Sequence, residues 1–503
     1  MSAATTGIGA AVEAPVGPRV TADASAVTVL GPLLPVLAPW LATRRWYQGT
    51  TVSGLRPRAV TVIHGDGLPD LVVAVVDVTA RGTAAAPTCY QLLLGLAREL
   101  PRRLADAAIG TVPSGRWAGR AVYDAVADPA LMGLLLRALA ARRAGTLRLE
   151  RAGLFPLPVG LVPRPLTGEQ SNSAVVYGDR LLLKLYRRPE PGPSPEAEAL
   201  RALTAEDCAR TPRLYGALSV PAPGGDPLTV GLIEEFVPGA EDGWERAVRF
   251  ARDHINGPGD PEADADPGTT TGAGGGFTGQ AHALGQAVAE VHGALGRAFP
   301  RRRRQALDLA ADAARMRRRL DTAVLEVPQL ARYHAALAAV FDEYGALAGR
   351  GCPVFAQRVH GDLHLGQALH TEDGWYVVDF EGEPATPAAE RALPQPVLRD
   401  VAGMLRSFDY AARTALAELD GAAGPAQQLS RRRRATAWAL RNRRAFCAGY
   451  AAAGGEDPTC RTAQLTAFEA DRAVYEALYE ARHRPHWLPV PLAAVHRLVG
   501  RMR

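Results

Sequence analysis

From about residue 280 to residue 484 the chain reads as helix after helix, interrupted once by an island of strand and loop from Val354 to Pro384. The helical spacing of apolar residues predicts helices over 280–299, 304–322, 329–348, 397–420, 429–453 and 460–484. The N-terminal half has the opposite character. Valine- and leucine-rich runs at Leu71–Val78 and Cys89–Leu96 predict strands, with a helical start at Leu33–Thr43 and a helix over Asp128–Arg143. A new unit opens near Arg148. There Ala174 to Lys184 reads as a hairpin turning at Gly178-Asp179, Pro195 opens a helix to about Leu203, and Thr229–Phe236 reads as a strand. Strands with one helix, a short connector, then a helical region holding a β island: this order predicts an α+β, two-lobed fold of the protein-kinase-like type.

The expected divisions are a loose tail over 1–28, a cap and intermediate region over 29–147, a strand-rich lobe over 148–240 and a helical lobe over 241–503. Within the last, 257–276 is Gly, Pro, Asp, Ala and Thr almost throughout, a composition expected to stay disordered. The chain has 503 residues, 47% of them hydrophobic, enough for more than one packed unit. No apolar run reaches the roughly 18 residues of a membrane span, and the N-terminus does not read as a signal peptide, so a cytoplasmic protein away from membranes is expected. Its five cysteines show neither zinc-site spacing nor a disulfide framework. A net charge of +5 is too mild to imply nucleic acid, and the arginine runs at 301–304, 317–319 and 431–434 read as solvated helix faces. Of 57 lysine and arginine residues, Lys184 is the only lysine. A composition that replaces lysine wherever a generic charge suffices has kept one where a compact point charge on a flexible stem could matter.

The island contains Gln357-Arg358-Val359-His360-Gly361-Asp362-Leu363-His364-Leu365-Gly366-Gln367, and later Asp379-Phe380-Glu381. Phosphoryl transfer needs a carboxylate to orient and deprotonate the attacking hydroxyl, and oxygen ligands to hold magnesium on the phosphates. Asp362, an amide five residues on at Gln367, and Asp379 at the end of a short apolar strand supply those parts. Lys184, ending the second strand of the hairpin, is the expected phosphate anchor. Glu198 is its expected partner, preferred to Glu196 because it lies further into the following helix. Around Gly168, the residues Gln170, Ser171, Asn172 and Ser173 hold the place of a phosphate-covering loop, and backbone groups near Glu235 and Val237 that of an adenine-reading hinge. His292, on the apolar stripe of its helix, reads as a satisfied core histidine.

His-Gly-Asp-x-His-x-x-Gln followed by Asp-Phe-Glu resembles the aminoglycoside phosphotransferase and choline kinase group. Longer strings resemble actinobacterial maltokinases: Glu169 to Ser173, Asp379 to Pro384, Arg399 to Phe408, Tyr475 to Arg482 and Arg484 to Pro489, with Arg44 to Tyr47 resembling an N-terminal cap. The resemblance implies ATP and Mg2+ as cofactors, maltose as acceptor and maltose 1-phosphate as product, feeding α-glucan synthesis from trehalose. It implies Asp362 as catalytic base, Gln367 and Asp379 as magnesium ligands, and Lys184 in contact with ATP. A complex with a trehalose-isomerising enzyme would fit that role. Glucosamine is the alternative acceptor, and a silent nucleotide-binding module the alternative class. For the sugar, His364 and Arg399 flank the catalytic loop, and Trp438, Arg443, Tyr450, Tyr475 and Trp487 are further candidates.

Overall fold

The long apolar runs of the N-terminal third are strands buried on both faces. The computed structural model describes the chain except residues 1–18, 22–25, 48, 50, 82–86, 143, 154, 167–171, 223–224, 258–275, 384–385, 420–423 and 501–503. The described chain divides into two units, one formed by residues up to Pro193 with Leu214–Phe236, the other by Ser194–Arg213 with Val237 onwards.

In the first unit β1 (Arg19–Thr21), β2 (Val52–His64), β3 (Asp70–Ala80), β4 (Thr88–Ala97), β5 (Ala108–Thr111) and β6 (Ala121–Asp124) form one sheet in the order β1-β2-β3-β4-β6-β5. Successive side chains leave a strand on opposite faces. Val72, Ala74, Val76, Leu92 and Leu94 therefore pack under α1 (Ala26–Leu30) and α2 (Leu34–Leu41). Leu71, Val73, Val75 and Leu93 face α3 (Pro129–Ala140). Asp128 caps α3, accepting from the Ala130 N–H at 3.1 Å. A second sheet holds β7 (Arg148–Arg151), β8 (Pro163–Leu166), β9 (Ser173–Tyr177), β10 (Leu181–Leu185), β11 (Leu214–Val220) and β12 (Leu228–Glu235), in the order β7-β11-β12-β10-β9-β8. The hairpin at Gly178-Asp179 forms as its sequence predicts, both turn residues at φ +50.

Two boundaries differ from expectation. Leu131 and Leu135 of α3 share one core with Val175, Leu183 and Ile233 of the second sheet, so 29–147 and 148–240 are not separate cores. Arg19–Thr21, assigned to the tail, adds an edge strand on β2, because Val20 packs onto that same core. Residues 26–28, likewise assigned to the tail, begin α1.

The second unit is helical: α4 (Pro195–Ala205), α5 (Gly243–Asn256), α6 (Phe277–Ala298), α7 (Ala306–Glu326), α8 (His334–Gly345), α9 (Ala388–Arg391), α10 (Leu398–Leu419), α11 (Pro425–Ala452), α12 (Thr462–His483) and α13 (Pro489–Gly500). The predicted island contains β14 (Ala368–Thr371) and β15 (Gly374–Val377), joined by β13 (Glu241–Asp242) in a small antiparallel sheet. Helices α5 and α13 were not foreseen. Most of the expected disordered insertion, 258–275, lies outside the described residues, which resume before α6.

Helices α6 and α11 meet backbone to backbone. A Cβ on Gly285 would lie 2.1 Å from the Phe446 carbonyl oxygen, and one on Gly449 only 1.9 Å from that of His282. Arg431 and Arg434 of the arginine run do more than face solvent, donating to the carbonyls of Leu419 and Ile255. Among the described residues no helix is long and apolar enough to cross a membrane.

Candidate active site

Residues 360–367 form a loop whose backbone is tied to one face of α10. The His360 and Gly361 N–H groups donate to the two carboxylate oxygens of Asp400 at 2.8 and 2.9 Å, and the Leu365 N–H donates to Ser407 Oγ at 3.0 Å. Between those anchors Gly403 lets Leu363 approach, since a Cβ there would lie 2.6 Å from the Leu363 carbonyl. Asp400, Gly403 and Ser407 are spaced as one helical stripe. Asp400 is 2% exposed and is held in turn by His292 Nε2 at 3.0 Å, while His292 Nδ1 meets the Tyr450 hydroxyl at 2.9 Å. Burial works against the Asp400 charge, but His292 and the loop N–H groups outweigh it and hold the carboxyl below its usual range. His292 is thus the core histidine the sequence suggested. Tyr450, expected near the sugar, is 1% exposed at the end of this chain of hydrogen bonds and cannot serve there.

His360 closes the loop from inside. Its Nδ1 accepts from the Asp362 N–H at 3.3 Å and its Nε2 lies 2.9 Å from the Val378 carbonyl, a pairing that fits the neutral ring with its proton on Nε2. Gly361, at φ +89, supplies the left-handed turn. The Asp362 side chain projects from this frame. Arg472 of α12 donates to its Oδ1 at 3.1 Å and to Glu383 Oε2 at 2.7 Å, and the Tyr475 hydroxyl donates to Glu383 Oε1 at 3.1 Å. Burial alone would lower the Arg472 pKa, but Asp362 and Glu383 raise it, so the guanidinium stays charged. Burial and Glu383 push the Tyr475 phenol up to about 12.

Gln367 and Asp379 come together as expected, the Gln367 amide donating to Asp379 Oδ2 at 2.8 Å. Asp379 sits at φ +67, a left-handed conformation that a non-glycine residue adopts at a cost. One oxygen each from Glu196, Asp379 and Glu381 lie within 4.8 Å of one another. Carboxylates with a neighbouring amide oxygen are the hard donor set that magnesium takes, so these residues fit that ion. The two glutamates of α4 differ in burial. Glu196 falls on the buried stripe with Ala199, Leu200 and Leu203 and is 1% exposed, while Glu198 faces Arg358 at 3.6 Å. Helical periodicity, applied to this short segment, puts Glu196 on that stripe.

Beside Asp362 opens a pocket of about 720 Å³. Two stacked aromatic pairs line it, Tyr410 with Trp487 (centroids 6.3 Å apart) and Tyr475 with Tyr479 (6.5 Å), and Trp244 adds a third surface. The carboxylates of Asp362, Glu383, Glu476 and Glu480 face it against two guanidiniums, Arg472 and Arg484. His364 is also in the wall, and burial lowers its pKa. Of the sequence candidates, Tyr475 and Trp487 are here. Trp438 is core, Arg443 is buried against Glu469 at 2.7 Å, and Arg399 lines neighbouring cavities instead. Arg472, Glu383 and Tyr410 were missed because each lies in ordinary helix or loop, with no local pattern to single it out.

In the first unit, Lys184 stands within β10 between Ala174 and Leu232, its Nζ 5.8 Å from the Tyr186 ring centroid. Ser173 is less available than expected, because its hydroxyl accepts from Arg187 at 2.7 Å, and Arg187 also pairs with Asp124. Asn172 precedes β9, and Gln170 and Ser171 lie outside the described residues. Glu235 ends β12 opposite Leu181, and the division between the units falls just before Val237.

A backbone-locked loop aspartate, followed by an amide and a second aspartate within a helical unit, defines a phosphotransferase of the protein-kinase-like fold. Residues 278–417 match the APH phosphotransferase enzyme family, and residues 40–128 match the maltokinase N-terminal cap domain. A glucosamine kinase of Streptacidiphilus jiangxiensis is 33% identical over 77% of this chain and 85% of its own, and one of Mycolicibacterium smegmatis is 30% identical over 67% and 79%. A solved glucosamine kinase in complex with glucosamine, ADP and inorganic phosphate superposes with a TM-score of 0.63 at 27% identity, covering 92% of this chain and 98% of that one. The chain belongs to the aminoglycoside phosphotransferase and choline kinase-like superfamily, among its capped sugar kinases.

Proposed function

We propose that this kinase transfers the γ-phosphoryl group of ATP to a hydroxyl of glucosamine or a closely related amino sugar. The observation that carries this reading is the pocket beside Asp362, where four carboxylates meet Arg472, Arg484 and the buried Arg406 that holds Glu476 at 2.6 Å, with stacked aromatic faces around them. Surplus carboxylate matches a sugar ammonium, and flat aromatic rings suit the apolar faces of a pyranose. The relatives named glucosamine kinase support the same choice.

In the proposed step the acceptor oxygen bonds to the γ-phosphorus while its proton passes to Asp362, and the bond to the β–γ bridging oxygen breaks to release ADP. Arg472 occupies Oδ1 of Asp362; among the described residues no hydrogen bond engages Oδ2, which is left for the sugar hydroxyl. Lys184 is the cation assigned to the ATP phosphates. Gln367 and Asp379 would hold Mg2+, which supplies charge neutralisation on those phosphates when bound.

Maltose, with maltose 1-phosphate as product and a trehalose-isomerising enzyme as partner, is the second reading, favoured by the cap match at 40–128. The deciding experiment is ATP consumption with magnesium against glucosamine, maltose, glucose, trehalose and an aminoglycoside, for the native chain and Asp362→Asn. Turnover on glucosamine that the variant loses supports the first reading. Turnover on maltose transfers support to the second. ATP binding without turnover on any sugar would leave a nucleotide-binding module.

A further inference from the structure

Beside the catalytic loop lies a second cavity, of about 230 Å³, with Gly361 and Gly382 in its wall. That is far above the roughly 10–15 Å³ that admits one water. Five arginines line it: Arg304, Arg315, Arg319, Arg391 and Arg399. Four have protein partners. Asp312 takes Arg304 and Arg315, each at 2.7 Å, Asp471 takes Arg319 at 2.6 Å, and Arg391 donates to the Glu381 carbonyl at 3.0 Å. The fifth is different. Among the described residues the Arg399 side chain makes no hydrogen bond or ion pair, although Asp471 and Glu383 lie close enough to act on its charge.

The wall sets five arginines against the carboxylates of Asp312, Glu383, Glu390 and Asp471, and Arg399 is the arginine whose guanidinium is left for an anion in the cavity to complete. Burial lowers the Arg399 pKa, while part of the side chain stays open to the cavity. A guanidinium presents two parallel N–H groups that match two oxygens of a phosphate or carboxylate. The cavity shares Glu383 with the pocket holding the aromatic pairs, and a smaller cavity lined by Arg399, Asp362, Arg472 and Tyr475 adjoins both.

We propose that this cavity binds a small phosphate-bearing anion, gripped by Arg399 beside the acceptor pocket. The bound group would rest against the backbone just ahead of Asp362, giving a phosphorylated metabolite a place from which to act on the catalytic loop. Inorganic phosphate and a sugar monophosphate share the required group. This inference does not depend on which sugar is phosphorylated.

The test is calorimetric titration of the full chain, saturated with ADP and magnesium, by inorganic phosphate and separately by glucose 6-phosphate. The native chain, Arg399→Gln, Arg399→Lys and Asp379→Asn are compared, with melting temperatures confirming that each is folded. Binding at least tenfold weaker in Arg399→Gln, intermediate in Arg399→Lys and retained in Asp379→Asn supports the site. If only glucose 6-phosphate shows that pattern, the ligand is a sugar phosphate. Binding unchanged in both Arg399 variants, absent from the native chain, or lost only in Asp379→Asn overturns the proposal.

Discussion

Arg472 donates to Oδ1 of Asp362 at 3.1 Å across 110 residues of sequence. The contact fixes the rotamer of the carboxylate that faces the acceptor pocket and keeps a positive charge beside it. Asp362→Asn should lower kcat by about 10²–10⁴-fold, the usual contribution of a general base. Arg472→Gln should lower it by about 10²-fold, and Arg472→Lys should recover part of that loss. Steady-state kinetics on the acceptor found in the substrate panel would check all three. An Arg472→Gln enzyme with unchanged kcat would remove Arg472 from the mechanism.

The Gln367–Asp379 hydrogen bond gives a separate handle on the metal. Gln367→Ala removes the amide that holds Asp379, so under the proposed metal site magnesium affinity should fall about 10–100-fold. The expected readout is a higher magnesium concentration for half-maximal rate, with the acceptor KM little changed. If the acceptor KM moves and the magnesium dependence does not, Gln367 serves the sugar side.

His364 makes stability depend on pH. Burial disfavours its charged form, so its folded pKa lies below the unfolded value of about 6.5. Below that value the unfolded chain takes up the proton first, and stability falls as pH drops from about 6.5 toward the folded pKa. His364→Gln should therefore lose less stability than the native chain between pH 7.5 and 5.5. Urea unfolding at the two pH values measures the difference.

The contact between α6 and α11 has no room for a methyl group. Gly449→Ala should destabilise the second unit by about 1–3 kcal/mol through overpacking, with no contact to the acceptor pocket involved. Denaturant unfolding of this variant, beside Gly454→Ala at a position with open space but positive φ, separates crowding from backbone strain.

The parts legible in the sequence were those carried by local strings. The loop from His360 to Gln367, Asp379 after its strand, the hairpin ending in Lys184 and most of the long helices follow from spacing and composition. Residues joined to the site only by tertiary packing were not legible. Arg472 and Tyr410 look like any other helical residue until α10 and α12 pack together, and Asp400 reveals itself only by the two N–H groups it accepts. The burial of Glu196 was legible from rotation around α4, which places it on the stripe of Ala199, Leu200 and Leu203. Strand β2 was passed over because polar and glycine residues interrupt its N-terminal part, which is the half-exposed stretch of the strand.

The arginine-for-lysine bias leaves this enzyme with a single ε-amine, on β10 beside Tyr186. An amine-directed acylating reagent would therefore find one side-chain address in these 503 residues. Isotopic enrichment in lysine would give one side-chain signal. Protection of that group by nucleotide could then be followed in unfractionated protein, without engineering a label into the fold.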